Sequence, residues 1–181
     1  MLNEVGELHL ILGSMYSSKS SSLISQLLRY RAIGHNVFCI NSIKDSRTPN
    51  NEVKTHDKIS IPASKTLDLF SEFVYIPYDT TVIGIDEAQF FKDLIPFVKK
   101  QIDNDMIVIV AGLDGDYKQR EFGDILKLIP IADSYKKVYA LCKICKDGTP
   151  GSFTKRINTN NDTNILIGSD DYYISVCRKH L

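Results

Sequence analysis

Residues 13 to 20 read Gly-Ser-Met-Tyr-Ser-Ser-Lys-Ser, and this stretch decides how the chain folds. The order matches a phosphate-binding loop at every position except Ser18, where that pattern has glycine. Residues 7–12 alternate into an apolar run and predict a buried strand before it, and apolar residues at helical spacing over 20–33 predict a helix after it. In such a loop, successive backbone N–H groups and the positive end of the helix face phosphate groups. The sequence therefore predicts a nucleotide site.

The last two residues of the loop have chemical roles in this prediction. Lys19 would neutralise the β- and γ-phosphate oxygens of ATP, and the Ser20 hydroxyl would bind Mg²⁺. Ser18 leaves alternatives open, because serine at a positive φ costs about 1 kcal/mol and its Cβ crowds the phosphate. The loop can belong to an active ATP-dependent enzyme, to a kinase-like nucleoside or nucleotide binder with weakened catalysis, or to an ordinary serine-rich turn.

Length and charge limit the classes of function. The chain has 181 residues, enough for one large domain or for a domain with a small appendage. Its 22 basic and 22 acidic residues give zero net charge, which argues against general affinity for nucleic acid or anionic membranes. No apolar stretch has the length of a membrane span and the first residues lack a secretory pattern, so we expect a cytoplasmic protein.

Strands and helices alternate up to about residue 130. This order predicts an α/β fold with a parallel, doubly wound sheet, whose ligands bind at the carboxyl ends of the strands. The further predicted elements are strands at 36–40, 81–85 and 106–110, helices at 64–73, 92–103 and 122–128, and a flexible loop at 41–58.

An acidic pair follows the predicted strand at 81–85. Asp86 closes an apolar run, as the Mg²⁺-holding acid of a phosphate-loop enzyme does. Glu87 comes next, and at a fraying strand end both side chains can reach one site. A glutamate there can take the proton of an alcohol that attacks the γ-phosphate. A surface Asp-Glu pair that merely begins a loop is the structural alternative.

Three cysteines and a histidine near the C-terminus have the spacing of zinc ligands. Cys142 and Cys145 form C-x2-C, and Cys177 and His180 form C-x2-H after a long gap. A structural Zn²⁺ would hold the two ends of that gap together. The fourth cysteine, Cys39, lies in an apolar segment and is predicted to be a core thiol.

The C-terminal part differs in pattern from the rest. Short strands are predicted at 137–141, 153–157 and 165–167, with an Asn/Thr-rich run at 158–164. We therefore expect an ATP-binding α/β domain over 1–134 and a zinc-stapled appendage over 135–181. A zinc module that binds nucleic acid is another alternative, but only four lysines lie near the predicted metal, at Lys136, Lys137, Lys143 and Lys146.

Taken together, these motifs resemble the family of cytosolic, type II thymidine kinases over nearly the whole chain. The segments that carry the resemblance are 13–20, Asp45-Ser46-Arg47, Thr55-His56-Asp57, Ile85-Asp86-Glu87-Ala88-Gln89-Phe90-Phe91, Gly112-Leu113-Asp114-Gly115-Asp116-Tyr117, Phe153-Thr154-Lys155-Arg156 and Tyr173-Ile174-Ser175-Val176-Cys177-Arg178. The resemblance implies ATP-dependent phosphorylation of the 5′-hydroxyl of thymidine or deoxyuridine. It also implies a zinc-anchored lasso that closes over the nucleoside, and a homotetramer.

The resemblance also assigns roles to residues. It makes Glu87 the general base, Lys19 the phosphate clamp, and Ser20 and Asp86 the Mg²⁺ holders, with Arg47 and Asp45 near the phosphates. The ATP-binding loop is Gly13, Ser14, Met15, Tyr16, Ser17, Ser18, Lys19 and Ser20. The residues around the base are Met15, Phe90, Leu113, Tyr117 and Phe122, with Thr154 and Tyr173 from the lasso. Phe91 is expected in the core, and His56 is expected to be a structural loop residue. Ser18 departs from the family pattern, and His180 stands where cysteine is commoner as the fourth zinc ligand.

Overall fold

The computed structural model describes residues 5–45, 51–54, 59–71, 74–157 and 172–181. A six-stranded parallel sheet forms its centre, with the strand order β5-β2-β6-β7-β1-β8. These strands are β1 (Glu7–Gly13), β2 (Val37–Ser42), β5 (Ser64–Thr66), β6 (Val82–Ile85), β7 (Ile107–Leu113) and β8 (Ser134–Val138). The predicted α/β class with a parallel sheet is confirmed.

Shorter elements complete the described part of the chain. The helices are α1 (Lys19–Ala32) and α2 (Leu94–Asp103), with 3-10 helices at Ala88–Phe90, Ile125–Ile131 and Arg178–His180. Three two-stranded antiparallel sheets pair β3 (Glu52–Lys54) with β4 (Ser60–Pro62), β9 (Ala140–Leu141) with β10 (Pro150–Gly151), and β11 (Phe153–Arg156) with β12 (Tyr173–Val176). Within these ranges no helix has both the length and the apolar character needed to cross a membrane.

Each face of the central sheet has its own hydrophobic core. Along β7, Val108 and Val110 pack into one core together with α2, and Ile107 and Ile109 pack into the other together with α1. Successive side chains of a strand point to opposite faces, so a strand covered on both faces is apolar throughout. That explains why the predicted strands read as continuous apolar runs. Gly84 lets α1 lie close to the sheet, because a Cβ there would be 2.6 Å from the Leu27 side chain.

The predicted helix at 64–73 is wrong in its described part. Ser64–Thr66 is instead the edge strand β5, which pairs in parallel with β2 from Ile40↔Ser64 to Ser42↔Thr66. Pairing with β2 satisfies backbone groups that a local helix would otherwise bond, so the tertiary contact overrides the local propensity.

The predicted flexible loop at 41–58 contains part of a hairpin. β3 pairs with β4, and the cross-strand residues Val53 and Ile61 are each 1% exposed. One apolar residue per strand is too little to show alternation in the sequence, which is why the hairpin was missed.

The predicted helix at 122–128 begins later and is a 3-10 helix over Ile125–Ile131. Gly123 has φ +65, and a Cβ there would lie 2.2 Å from the backbone oxygen of Gln89. This glycine turn keeps residues 122–124 out of the helix.

The predicted strand at 137–141 is two strands. β8 ends at Val138 and pairs with β1 in the central sheet, and β9 begins at Ala140 in a separate sheet. The expected domain border at 134/135 thus falls on an edge strand of the central sheet. Four of the five β8 residues are exposed, so the strand has no apolar pattern. The predicted strand at 165–167 and the Asn/Thr-rich run at 158–164 lie outside the described residues.

Candidate active site

The phosphate loop connects β1 to α1 at the carboxyl edge of the central sheet. β1 ends at Gly13 and α1 begins at Lys19, so the loop lies between strand and helix as predicted. Gly13 permits a close approach to β8, because a Cβ there would be 2.2 Å from the backbone oxygen of Val138. The N-terminus of α1 therefore presents its backbone N–H groups and its positive dipole end at this edge, where an anion can bind.

Hydrogen bonds within the loop hold it in a tight curve. The Ser17 hydroxyl donates to the backbone oxygen of Ser14 at 2.8 Å, and Lys19 Nζ donates to the same oxygen at 2.7 Å. Lys19 is 8% exposed and its ammonium group lies against the loop. Because an ammonium group has three donors, Lys19 has the capacity to bind phosphate oxygens from this position.

Two non-glycine residues of the loop have left-handed backbone conformations. Tyr16 has φ 62, and Ser18 has φ 60 and ψ 31. The positive φ expected at Ser18 is confirmed. Ser18 is exposed, and as the N-cap of α1 it makes no side-chain capping bond. Its left-handed backbone costs about 1 kcal/mol relative to glycine, with no capping bond to offset the cost.

The acidic pair follows β6 at the same edge of the sheet. Asp86 is 1% exposed, and its Oδ1 accepts a hydrogen bond from the N–H of Glu87 at 3.0 Å. Glu87 has φ 51 and ψ 39, which turns the chain from the strand into the 3-10 helix Ala88–Phe90. Burial, and then the negative charge of Asp86, raise the pKa of the Cys39 thiol. Cys39 is therefore the neutral core thiol that its apolar segment predicts.

Gln89 connects Glu87 to the end of β7, and the sequence reading had given it no role. Its Nε2 donates to Glu87 Oε2 at 2.6 Å, and its Oε1 accepts from the backbone N–H of Leu113 at 2.9 Å. Gln89 is 4% exposed, and Gly112 makes room for it, since a Cβ at Gly112 would be 2.7 Å from Gln89 Oε1. Its position two residues after Glu87 was the only signal in the sequence.

Aromatic residues predicted to surround the base lie in two pairs. The rings of Phe90 and Phe122 are 5.5 Å apart at an interplanar angle of 86°. The rings of Tyr117 and Tyr173 are 6.3 Å apart at 49°. Leu113, half-buried at the end of β7, is bonded to Gln89 and thereby to the acidic pair. The second pair brings the C-terminal hairpin to the loop that follows β7.

Other predicted residues lie elsewhere at this edge. The Met15 N–H donates a hydrogen bond to Thr154 Oγ1 at 3.1 Å, so these two predicted residues are in contact. Phe91 is 1% exposed and belongs to the hydrophobic core, as expected. Asp45 is 7% exposed, and its carboxylate accepts a bond from Asn41 Nδ2 at 3.0 Å. Arg47 and the segment Thr55-His56-Asp57 lie outside the described residues.

The predicted metal ligands converge at the base of the C-terminal part. Distances from His180 Nδ1 are 3.4 Å to Cys145 Sγ, 3.4 Å to Cys177 Sγ and 3.7 Å to Cys142 Sγ, and the Cys145 and Cys177 sulfurs are 3.7 Å apart. A tetrahedral Zn²⁺ with bonds of about 2.3 Å to sulfur and 2.0 Å to nitrogen spaces its ligand atoms roughly 3.5–3.8 Å apart. The quartet therefore fits a structural zinc ion.

Backbone N–H groups donate hydrogen bonds to one of these sulfurs, that of Cys142. The Cys177 N–H donates to Cys142 Sγ at 3.3 Å. Burial opposes ionisation of Cys142, but backbone hydrogen bonds from Cys145, Cys177 and Ile144 outweigh it and lower its pKa, whereas burial and the neighbouring sulfurs raise the pKa of Cys145. A sulfur held as thiolate is the form that binds zinc.

Comparison with known proteins gives a consistent result. The family model described as thymidine kinase matches residues 6–181. Thymidine kinase a of Arabidopsis thaliana is 47% identical over 180 residues, which are 97% of this chain and 74% of the relative. Thymidine kinase of Myxoma virus (strain Uriarra) is 40% identical over 176 residues, 96% of this chain and 95% of the relative. Cytosolic thymidine kinase of Gallus gallus is 35% identical over 176 residues, 96% and 75% respectively.

Proposed function

The chain belongs to the thymidine kinase family, and from this premise we propose that it transfers the γ-phosphate of ATP to the 5′-hydroxyl of thymidine. Deoxyuridine, which lacks only the methyl group of the base, is a second proposed substrate. The observation that carries the proposal is the joint position of the phosphate loop and the pair Asp86 and Glu87 at one edge of the sheet. β1 and β6, which lead into them, are separated only by β7.

Glu87 is the proposed general base. Its carboxylate would accept the proton of the 5′-hydroxyl as that oxygen attacks the γ-phosphorus, and the bond from phosphorus to the β,γ-bridging oxygen breaks. The side chain of Gln89, bonded to both Glu87 and Leu113, orients the carboxylate. In this proposal the buried side-chain amide of Gln89 holds the Glu87 carboxylate in place, so the carboxylate needs less reorientation during the reaction.

The phosphate loop is the proposed ATP site. Its backbone N–H groups and Lys19 would stabilise the charge on the phosphate oxygens, where the positive end of α1 adds to the field. Bound Mg²⁺ would supply further charge neutralisation between the phosphates. The residues proposed to hold it are Ser20, at the start of α1, and the buried Asp86. Arg47 is proposed near the phosphates on the resemblance alone.

The C-terminal part is the proposed nucleoside-binding lasso, anchored by zinc. The contact of Tyr173 with Tyr117 and the bond of Thr154 to Met15 support this role. We propose an ATP-binding part over 1–134 and a lasso part over 135–181, with β8 as the connecting edge strand. A homotetramer and a cytoplasmic location are proposed from the family resemblance, and the chicken relative is named as cytosolic.

A second candidate function keeps the same ligands without efficient catalysis. It rests on Ser18, whose left-handed backbone would strain the loop and whose Cβ would crowd the phosphate. One assay separates the two functions: phosphorylation of thymidine by ATP and Mg²⁺, measured for the parent chain, Ser18→Gly and Glu87→Gln. The proposed kinase predicts that the parent turns over and that Glu87→Gln loses about 10²- to 10⁴-fold in kcat. ADP affinity of Glu87→Gln should match that of the parent, which shows that the phosphate loop is intact.

The outcomes of this assay are distinct. An inert parent with an active Ser18→Gly would support the weakened binder and reject the parent chain as an efficient kinase. A Glu87→Gln variant with parental kcat would reject Glu87 as the base. If folded, zinc-containing parent and Ser18→Gly are both inert, the kinase proposal fails.

A further inference from the structure

Three hydrogen bonds join the phosphate loop to the C-terminal part. Thr154 Oγ1 accepts from the N–H of Met15 at 3.1 Å, and Ser175 Oγ donates to the backbone oxygen of Met15 at 3.1 Å. Ser14 Oγ donates to the backbone oxygen of Gly151 at 3.0 Å. Both polar backbone groups of Met15 are thus bonded by side chains that are distant in the sequence.

The two side chains that hold Met15 form one unit. Thr154 on β11 and Ser175 on β12 are directly opposite in the antiparallel register. Thr154 is 7% exposed and Ser175 is 3% exposed. We name this pair the Met15 clamp. Buried hydroxyls in a paired register cannot follow the loop freely, so they define where the Met15 backbone lies.

The clamp is tied to the zinc ligands by short connections. Ser175 lies two residues before Cys177, and its backbone oxygen accepts from the N–H of Lys143, the neighbour of Cys142. On the opposite strand, Lys155 Nζ donates to the backbone oxygen of His180 at 2.8 Å. Residues at or next to the zinc ligands are therefore bonded to both strands that carry the clamp.

The loop needs such support because of its own conformation. Tyr16 and Ser18 both have left-handed backbones, with φ 62 and φ 60, and no glycine lies between Gly13 and the start of α1. Left-handed non-glycine residues persist only where the surrounding structure holds them. The clamp acts on the residue immediately before this strained pair.

We propose that Thr154 and Ser175 are positioning residues that hold the phosphate loop in its ATP-binding conformation, so that the zinc-anchored hairpin controls ATP affinity as well as nucleoside contact. This inference rests on the proposed function in one respect, namely that the loop binds the phosphates of ATP. Coupling between two sites is reciprocal, so nucleotide in the loop should also stabilise the β11–β12 hairpin.

The test is the affinity of the full-length, zinc-loaded chain for Mg²⁺-ADP, measured by titration calorimetry. Ser175→Ala removes the donor to the partly buried Met15 carbonyl, so the Kd for ADP should rise roughly five- to tenfold. Ser175→Thr keeps a hydroxyl and should restore most of the affinity. Ser152→Ala is the matched control, because this nearby serine makes no bond to the loop, and it should bind ADP as the parent does.

Kinetics give a second readout that a merely structural role would not produce. For Ser175→Ala, the KM for ATP should rise with the Kd, while kcat at saturating ATP and thymidine should change less than about twofold. Zinc content should stay at one ion per chain. A chelated parent that remains folded should show the same loss of ADP affinity as Ser175→Ala.

The results that overturn the inference are separate from those that overturn the kinase. If the parent binds neither ADP nor ATP, the proposed function itself is wrong. If the parent binds ADP and phosphorylates thymidine, but Ser175→Ala binds ADP as tightly as the parent, the clamp has no positioning role. Should Ser175→Ala fail to fold, Thr154→Val and the chelated parent decide, and parental ADP affinity in both rejects the proposal.

Discussion

Replacing Ser18 by glycine tests how much the phosphate loop is strained. Ser18 has φ 60 and ψ 31, is exposed and forms no capping bond. Its side chain therefore contributes little to stability that the substitution would remove. Relief of the left-handed conformation should stabilise the fold by about 1 kcal/mol. Glycine also makes the unfolded chain more flexible, which costs roughly 0.5–1 kcal/mol. The two effects nearly cancel, and we expect a change of at most about 0.5 kcal/mol in the free energy of unfolding, or about 2 °C in Tm.

The same backbone strain limits how much Ser18→Gly can change the affinity for ATP. If ATP binding released all of the roughly 1 kcal/mol, affinity would change about fivefold, because 1.4 kcal/mol corresponds to tenfold. The structure has the loop already in its left-handed form, so we expect less than this limit. Ser18→Val is the matched perturbation in the other direction, since a β-branched residue at positive φ is more strained, and it should lower Tm by several degrees.

The assay combines thermal unfolding with ATP-dependent phosphorylation of thymidine for parent, Ser18→Gly and Ser18→Val. Equal folding and zinc content in the three proteins is the control. A rise of more than about tenfold in kcat/KM for ATP in Ser18→Gly would refute the reasoning, because backbone strain of this size cannot account for it. It would show instead that the serine side chain obstructs the phosphate directly.

Further predictions concern the base, the pocket, the metal and pH. Gln89→Leu frees Glu87 from its 2.6 Å bond, so kcat should fall about 10- to 100-fold with ADP affinity unchanged, and a parental kcat would contradict this. Phe122→Ala removes an edge-to-face ring contact and should raise the KM for thymidine about three- to tenfold in steady-state kinetics, with kcat as the internal control. Chelation of zinc should speed amide hydrogen exchange over 140–157 while the central sheet stays protected, and unchanged exchange would count against the metal site. Partial burial opposes ionisation of Asp116, but hydrogen bonds from the Arg120 side chain and from backbone N–H groups outweigh it and lower its pKa. Denaturant unfolding should show Arg120→Gln less stable than the parent by under about 1 kcal/mol at pH 7, and the gap should close as pH falls below roughly 4, because this stabilisation is present only while Asp116 is ionised.

Local motifs were readable from the sequence because their chemistry needs certain residues at fixed spacing. A loop that binds phosphates must connect a strand to a helix, which places Gly13–Ser20 between β1 and α1. Paired zinc ligands must lie one short turn apart, which made Cys142 and Cys145 recognisable before any distance was known. Continuous apolar runs likewise predicted the inner strands of a parallel sheet, because both faces of those strands are covered.

Contacts between distant parts of the chain could not be predicted from the sequence in this way. β5 and β8 are edge strands whose pairing depends on the neighbours β2 and β1, so short polar sequences such as Ser64–Thr66 carry no signal. Gln89 and Ser175 are ordinary polar residues until the fold brings Glu87 or Met15 within hydrogen-bond distance. The sequence by itself determined the class of sheet and located the candidate phosphate loop, acidic pair and metal ligands. Only the tertiary structure decided which buried donors and acceptors meet, because a polar side chain finds its partner through packing of whole elements and not through spacing along the chain.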